Sequence, residues 1–233
     1  MKDGNVPRFD YVLFDLDNTL FDFSASESYS LKATLENYGY DFSQDVLNVF
    51  REINQRLWAK YDGGEVTHEQ VRYGRFEQLF SRLIIRHDYR EAGDLFVSYL
   101  RERNDLVPNS VDVLKELSGH CNLAIVTNGF SKTQHSRLDR SPITKFFSHV
   151  FISDEIGAQK PNIEFFDFVL STMDIKDKEK TLIIGDSLKS DVLGGKNAGI
   201  KTCWYNPKQE DNHSSIRPNF EIEKLTDLVP IVL

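Results

Sequence analysis

In the stretch "FDYVLFDLDNTLF", Phe9 to Phe21, an apolar run ends on two aspartates, Asp15 and Asp17, one residue apart. A single Asp at the end of a strand is ordinarily a turn former or a helix cap. Two of them call for a chemical explanation. Other apolar runs end on comparably loaded residues: Thr127, Asn128 and Gly129 after "NLAIVT", and Gly185, Asp186 and Ser187 after "TLIIG", with Ser190 and Asp191 close behind. Ahead of "IEFFDF" stand Lys160, Pro161 and Asn162. If these ends converge, four carboxylates share one pocket, and neighbouring like charges about 4 Å apart repel by about 4 kcal/mol at an intermediate dielectric. A cation is then required. No His or Cys cluster lies near these positions, so the ligands are hard oxygens, which favours Mg2+ held by carboxylates, water and a substrate phosphate. Lys160 offsets the acidic cluster and can hold an anionic oxygen of the substrate.

The two aspartates divide the work on such a substrate. Asp15 can attack phosphorus to form an aspartyl-phosphate, and Asp17 can protonate the departing alcohol oxygen and later take a proton from the attacking water. The Thr127 hydroxyl and the Asn128 amide can hydrogen-bond the transferring oxygens, and a helix beginning near Ser131 adds a favourable N-terminal dipole. Each fragment has an ordinary structural explanation: Asn-Gly is good turn chemistry, a Lys before Pro is a solvated charge, and Gly-Asp-Ser is a strand end with a helix cap. The ordered set of four, each at a strand end or helix entry, is what points to a site.

The elements that must position these residues follow from hydropathy. The runs at 11, 122, 149, 181 and 201 are nearly continuous in apolar character, as strands buried on both faces of a parallel sheet are. Helical stretches begin at Ser110, Ile163 and Ser190, so strand and helix alternate and the fold class is α/β. From about Asp22 to Asp105 only amphipathic segments occur, such as "SYSLKATLENYGY" and "VLNVFREINQRLWAKY". These predict a helical bundle inserted after the first strand. The expected division is a core of 1–21 and 106–233 with a helical cap of 22–105. Pro108 marks the return linker, with Asn109 or Ser110 placed to cap the helix that follows. The polar segment "NPKQEDNHSSIRPNF" is expected to be a surface loop before a last short strand and a C-terminal helix.

Composition limits the partners. Over 233 residues the formal net charge is -8, against a nucleic-acid polymer as partner, because backbone binding needs clustered Lys and Arg. With 40% hydrophobic residues and no apolar run near the roughly 18 residues of a membrane span, the chain is expected to be soluble, without a membrane partner. Cys121 and Cys203 sit in apolar segments and are expected to be buried free thiols. The segment "MKDGNVPRFD" lacks a secretory apolar stretch, so the expected location is cytoplasmic.

Taken in order, Asp15-Leu-Asp17-Asn-Thr19, Thr127-Asn128-Gly129, Lys160-Pro161 and Gly185-Asp186-Ser187 with Asp191 resemble the four motifs of the haloacid dehalogenase-like (HAD) superfamily. The resemblance spans nearly the whole chain. It implies a Rossmann-like core with a helical cap, Mg2+ dependence and phosphomonoester hydrolysis. It also implies that the ion contacts the Asp15 side chain, the Asp17 main-chain carbonyl and Asp186, with Asp191 in support. The stretch from Ile53 to Leu79 and "TNGFSKTQHSRL" are similar to the house-cleaning pyrimidine 5'-nucleotidases of that superfamily, which implies a nucleoside monophosphate as the small phosphorylated substrate. Trp58, Tyr61, Arg72, Arg75 and Phe76 could then stack on or hydrogen-bond a base and sugar, or else pack the bundle. Asn18 stands where many relatives carry Gly and also resembles the motif of N-acylneuraminate-9-phosphatases. Sugar phosphates and phosphoglycolate are thus the competing substrates, and a non-catalytic binding protein is the competing class. A mutase would need a second basic cluster, and a dehalogenase has no call for Asp17. Whether the protein is a monomer or a dimer is open.

Overall fold

The computed structural model describes residues 7–233; residues 1–6, part of the stretch considered above for targeting, lie outside the described residues. Its strands are β1 (Tyr11–Phe14), β2 (Asn122–Thr127), β3 (His149–Ile152), β4 (Thr181–Gly185), β5 (Lys201–Tyr205) and β6 (Phe220–Ile222). Its α-helices are α1 (Phe23–Asn37), α2 (Gln44–Asp62), α3 (His68–Leu83), α4 (Tyr89–Arg101), α5 (Ser110–Leu117), α6 (Ser131–Asp139), α7 (Ser153–Ile156), α8 (Ile163–Thr172), α9 (Leu193–Ala198) and α10 (Val229–Val232).

All strand pairings are parallel, in the order β3-β2-β1-β4-β5-β6. Alternate residues of each strand enter different cores. Val12, Phe14, Ile125 and Ile184 join one apolar cluster, while Leu13, Ala124, Val126 and Ile183 join another. Burial on both faces is the physical reason these strands read as unbroken apolar runs. The chain moves from β1 outward through β2 and β3, then returns to β4 on the other side of β1, so the order switches at β1 and β4. Phe14 lies in register with both Ile125 and Ile184, which brings the residues following β1, β2 and β4 to the same sheet edge. In open α/β sheets that crevice is where ligands bind.

The chain divides into two compact units, one of residues Met1–Asp22, Leu106–Ser131 and Leu138–Leu233, the other of Phe23–Asp105 with Lys132–Arg137. The second unit is helical. Its N-termini are well capped: Ser43 accepts from the Val46 amide, Thr67 and Gln70 form a reciprocal capping box, and Asp88 accepts from the Arg90 and Glu91 amides. The buried stripe of α2 runs Leu47, Phe50, Ile53, Leu57 and Tyr61. At its centre the Phe50, Phe76 and Phe96 rings, from three helices, have centroids 5.3–5.5 Å apart. Full burial of each such side chain stabilises the fold by about 1.5–3 kcal/mol.

Two local details differ from expectation. Asn109 sits at the N-cap of α5 but in a left-handed conformation with no side-chain cap bond; Ser110 instead donates to the carbonyls of Val107 and Leu20. The helix expected from Ser190 is preceded by a single π-helical turn, Leu188–Val192, and α9 begins only at Leu193. Turns of this kind cluster at functional sites. Cys121 and Cys203 are buried free thiols, and burial pushes them up to about 11 and about 12. Among the described residues no helix is long and apolar enough to cross a membrane.

Candidate active site

Asp15 follows β1 directly and is only 7% exposed. Its Oδ1 accepts from Lys160 Nζ at 2.7 Å and its Oδ2 from the Thr19 hydroxyl at 3.2 Å. The same ammonium donates to Asp191 Oδ1 at 2.6 Å and to the Val126 carbonyl at 2.8 Å. All three hydrogens of a 1% exposed Lys160 therefore have acceptors, and two of those acceptors are carboxylates. Burial works against the charged amine, but Asp15 and Asp191 hold it raised above its ordinary value.

Asp186, at the end of β4, completes the group: Asp15, Asp186 and Asp191 each place a carboxylate oxygen within 4.8 Å of the others. Burial, the largest cause, pushes the Asp15 carboxyl up to about 7. Lys160 opposes the rise, while Asp191 and Asp17 add to it. Asp186 is raised well above its usual range by burial and then by Asp15 and Asp191. Three carboxylates against one ammonium leave excess negative charge, the electrostatic setting a divalent ion relieves. The donor set fits Mg2+: all ligands are hard oxygens, and the ion's roughly 2.1 Å octahedral bonds require such oxygens close together. Asp15 and Asp191 retain unused lone pairs beside their hydrogen bonds, and among the described residues the Asp186 carboxylate accepts no hydrogen bond.

The turn after β1 explains the Asn at 18. Asn18 has φ of 60°, and its amide donates to the Phe21 carbonyl at 2.8 Å. Gly and Asn are the residues that accept this left-handed conformation at small cost, so Asn18 is a conformational equivalent of Gly. Asp17 is half-buried, makes a bridge through its main chain to Phe21, and keeps its carboxylate outside the three-carboxylate group. Gly185 is a packing requirement that the motif alone does not reveal. A Cβ there would lie 2.1 Å from Asp191 Oδ2, so any side chain would evict the acid that Lys160 holds. Asp191 is also fixed by the Ser187 amide, which donates to Oδ2 at 3.1 Å.

Thr127 and Gly129 form a tight turn in which the Gly129 amide donates to Thr127 Oγ1 at 3.1 Å. Asn128 has a second role that the sequence does not show. Its Nδ2 donates to the Lys160 carbonyl at 2.9 Å and its Oδ1 accepts from the Lys160 amide at 3.0 Å. This paired contact makes it a clamp on the Lys160 loop. At the start of α6 the Ser131 amide donates to the Asp154 carboxylate at 3.2 Å, so a protein acid already takes up part of that helix's N-terminal potential.

In the helical unit, two of the expected substrate contacts are part of the packing. Phe76 is fully buried in the three-ring centre, and Tyr61 is 8% exposed and stacked on His68 at 4.2 Å. Trp58 meets Tyr61 edge-on, and Arg72 pairs with Asp94 at 2.7 Å. Arg75 is 1% exposed. Its Nη1 reaches Asn54 Oδ1 at 3.5 Å, its guanidinium carbon lies 4.4 Å from the Phe96 ring centroid, and its Nε and Nη2 have no hydrogen-bond partner among the described residues. The nearby acid, Glu27, is already held by Arg51 and Asn54, each at 2.9 Å. Burial pushes the Arg75 guanidinium down to about 9. A desolvated cation–π contact contributes about 2 kcal/mol, less than the several kcal/mol that burying an ion costs. Arg75→Met is therefore expected to raise stability by about 1 kcal/mol in urea denaturation, since the cation–π contact and the bond to Asn54 are lost with the buried charge. A loss of that size would show that attraction to Glu27 outweighs the burial cost.

A parallel sheet switching at β1, an inserted helical unit and carboxylates gathered around one lysine define a hydrolase of the HAD class, and the chain belongs to that family: the description "Haloacid dehalogenase-like hydrolase" matches residues 12–205. Among individual proteins it is similar to the HAD-hydrolase YfnB of Bacillus subtilis, at 37% identity over 97% of each chain. It is also similar to the pyrimidine 5'-nucleotidases YjjG of Escherichia coli (32%; 95% of this chain and 96% of that one) and PynA of Streptococcus pneumoniae (33%; 95% and 94%). The crystal structure of YfnB bound to magnesium superposes with a TM-score of 0.91 at 36% identity, covering 96% of this chain and 98% of that one.

Proposed function

We propose that this protein is a Mg2+-dependent 5'-nucleotidase acting on pyrimidine nucleoside monophosphates. The observation that carries the chemistry is Lys160 Nζ bridging Asp15 and Asp191, with Asp186 beside them at the sheet switch point. The substrate class is supported by the two nucleotidases that align over nearly the whole chain.

Asp15 Oδ attacks phosphorus, the P–O5' bond breaks, and Asp17 gives a proton to the leaving oxygen, releasing the nucleoside. Asp17 then takes a proton from water as that water attacks the aspartyl-phosphate. The Asp15–phosphorus bond breaks, freeing phosphate and restoring both acids. The positive charge of Lys160 beside Asp15, with the Thr127 hydroxyl and the Asn128 amide, stabilises the transferring oxygens. Asp15, the Asp17 carbonyl, Asp186 and Asp191 would hold Mg2+, which when bound supplies charge neutralisation at the phosphoryl group. Asp17 separates this reaction from dehalogenation, where a departing halide needs no proton.

Phosphate release from purified protein tests the proposal. dUMP, UMP and dTMP are expected to be hydrolysed with kcat/KM at least about tenfold above sugar phosphates and phosphoglycolate, a difference of about 1.4 kcal/mol in transition-state binding. EDTA is expected to abolish turnover and added Mg2+ to restore it. Preference for a sugar phosphate would overturn the substrate assignment, and full activity in EDTA would overturn the metal chemistry.

A further inference from the structure

Of the three carboxylates in the cluster, two are oriented by their own hydrogen bonds: Asp15 by Lys160 and Thr19, Asp191 by Lys160 and the Ser187 amide. Among the described residues Asp186 has no such bond on its carboxylate, so its aim is set by its backbone. That backbone has a specific tether from outside the loop. Trp204, on β5 and 5% exposed, stands in register with Gly185, and its indole Nε1 donates to the Asp186 carbonyl at 2.9 Å. We infer that Trp204 is a positioning residue for the metal site: its indole N–H fixes the Asp186 peptide and thereby the direction in which the Asp186 carboxylate meets a divalent ion. This inference rests on the metal chemistry proposed above. Groups that orient metal ligands typically change affinity by about 10–100-fold when removed.

Trp204→Phe keeps an aromatic ring between the sheet and the loop and removes only the donor. Mn2+ binding to the full chain, read by electron paramagnetic resonance of the free ion, is expected to weaken at least about tenfold. The half-saturating Mg2+ concentration for turnover should rise by the same factor, with kcat at saturating Mg2+ and substrate KM within about twofold of wild type. Should that variant fail to fold, the benzothiophene analogue of tryptophan, incorporated at position 204 in a Trp58→Phe background, replaces the N–H by sulfur at nearly constant shape and should show the same loss of Mn2+ affinity relative to the Trp58→Phe protein. Unchanged Mn2+ affinity with a lowered melting temperature would overturn the inference, because the indole would then serve packing alone. A wild-type protein that binds no Mn2+ would overturn the metal reading itself and this inference with it.

Discussion

Asp15→Asn is expected to lower nucleotidase turnover by at least about 10^4-fold, the scale on which removal of a covalent nucleophile acts. The substitution is nearly isosteric, and Oδ1 can still accept from Lys160, so the loss reports nucleophilicity and not a collapsed loop. Stability should move the opposite way. The Asp15 carboxyl is raised from 3.8 to about 7, so between those values the folded, metal-free protein holds a proton that the unfolded chain has released. The stability linked to that proton is complete below about pH 4 and is lost as pH climbs to about 7. Asparagine has no such proton, and it also relieves repulsion on Asp186. Thermal unfolding in EDTA should therefore show a flatter pH profile for the variant and a higher melting temperature than wild type at pH 8. Turnover above about 1% of wild type would remove Asp15 from the nucleophile's role.

Much of this architecture is legible in the chain because its physics is local. Strands covered on both faces must be apolar at consecutive positions, so β1, β2 and β4 announce themselves, and the residues just beyond them have to meet at one edge of the sheet. The rest depends on contacts between segments far apart in sequence. Asn128 looks like a phosphate ligand in isolation, and only the fold of the 160 loop shows that its side-chain amide also brackets the Lys160 main chain. Trp204 reaches Asp186 across a strand pairing that no spacing rule encodes. Gly185 reads as ordinary strand-end glycine until Asp191 is seen lying against it. Arg75 is a different case, because a signal was present. Val71, Arg75 and Leu79 recur every four residues, the spacing of one helix face, which places the arginine on the buried stripe of α3.

Lys160→Met should combine a large loss of stability with a loss of activity, and the pH dependence of the first identifies its cause. Methionine is close to lysine in volume and suits a 1% exposed position, so packing is largely kept. What disappears is the only ammonium touching Asp15 and Asp191 among the described residues, together with the bond to the Val126 carbonyl. Removing one partner of a buried ion pair costs about 3–5 kcal/mol, because the charge left behind is buried and unpaired. That is a large share of the roughly 5–15 kcal/mol that stabilises an ordinary domain. At pH 8 in EDTA the urea midpoint should fall accordingly. At pH 5 the deficit should shrink, since Asp15, already raised to about 7 with lysine present, takes up a proton and no longer needs a partner. Saturating Mg2+ at pH 8 should recover part of the loss by supplying the missing positive charge. Turnover should fall by about 10^2–10^3-fold even then, because a charge that stabilises the transferring phosphoryl oxygens is gone. An equal deficit at pH 5 and pH 8 would mean that Lys160 stabilises the fold by filling space, and the electrostatic account of this site would fail.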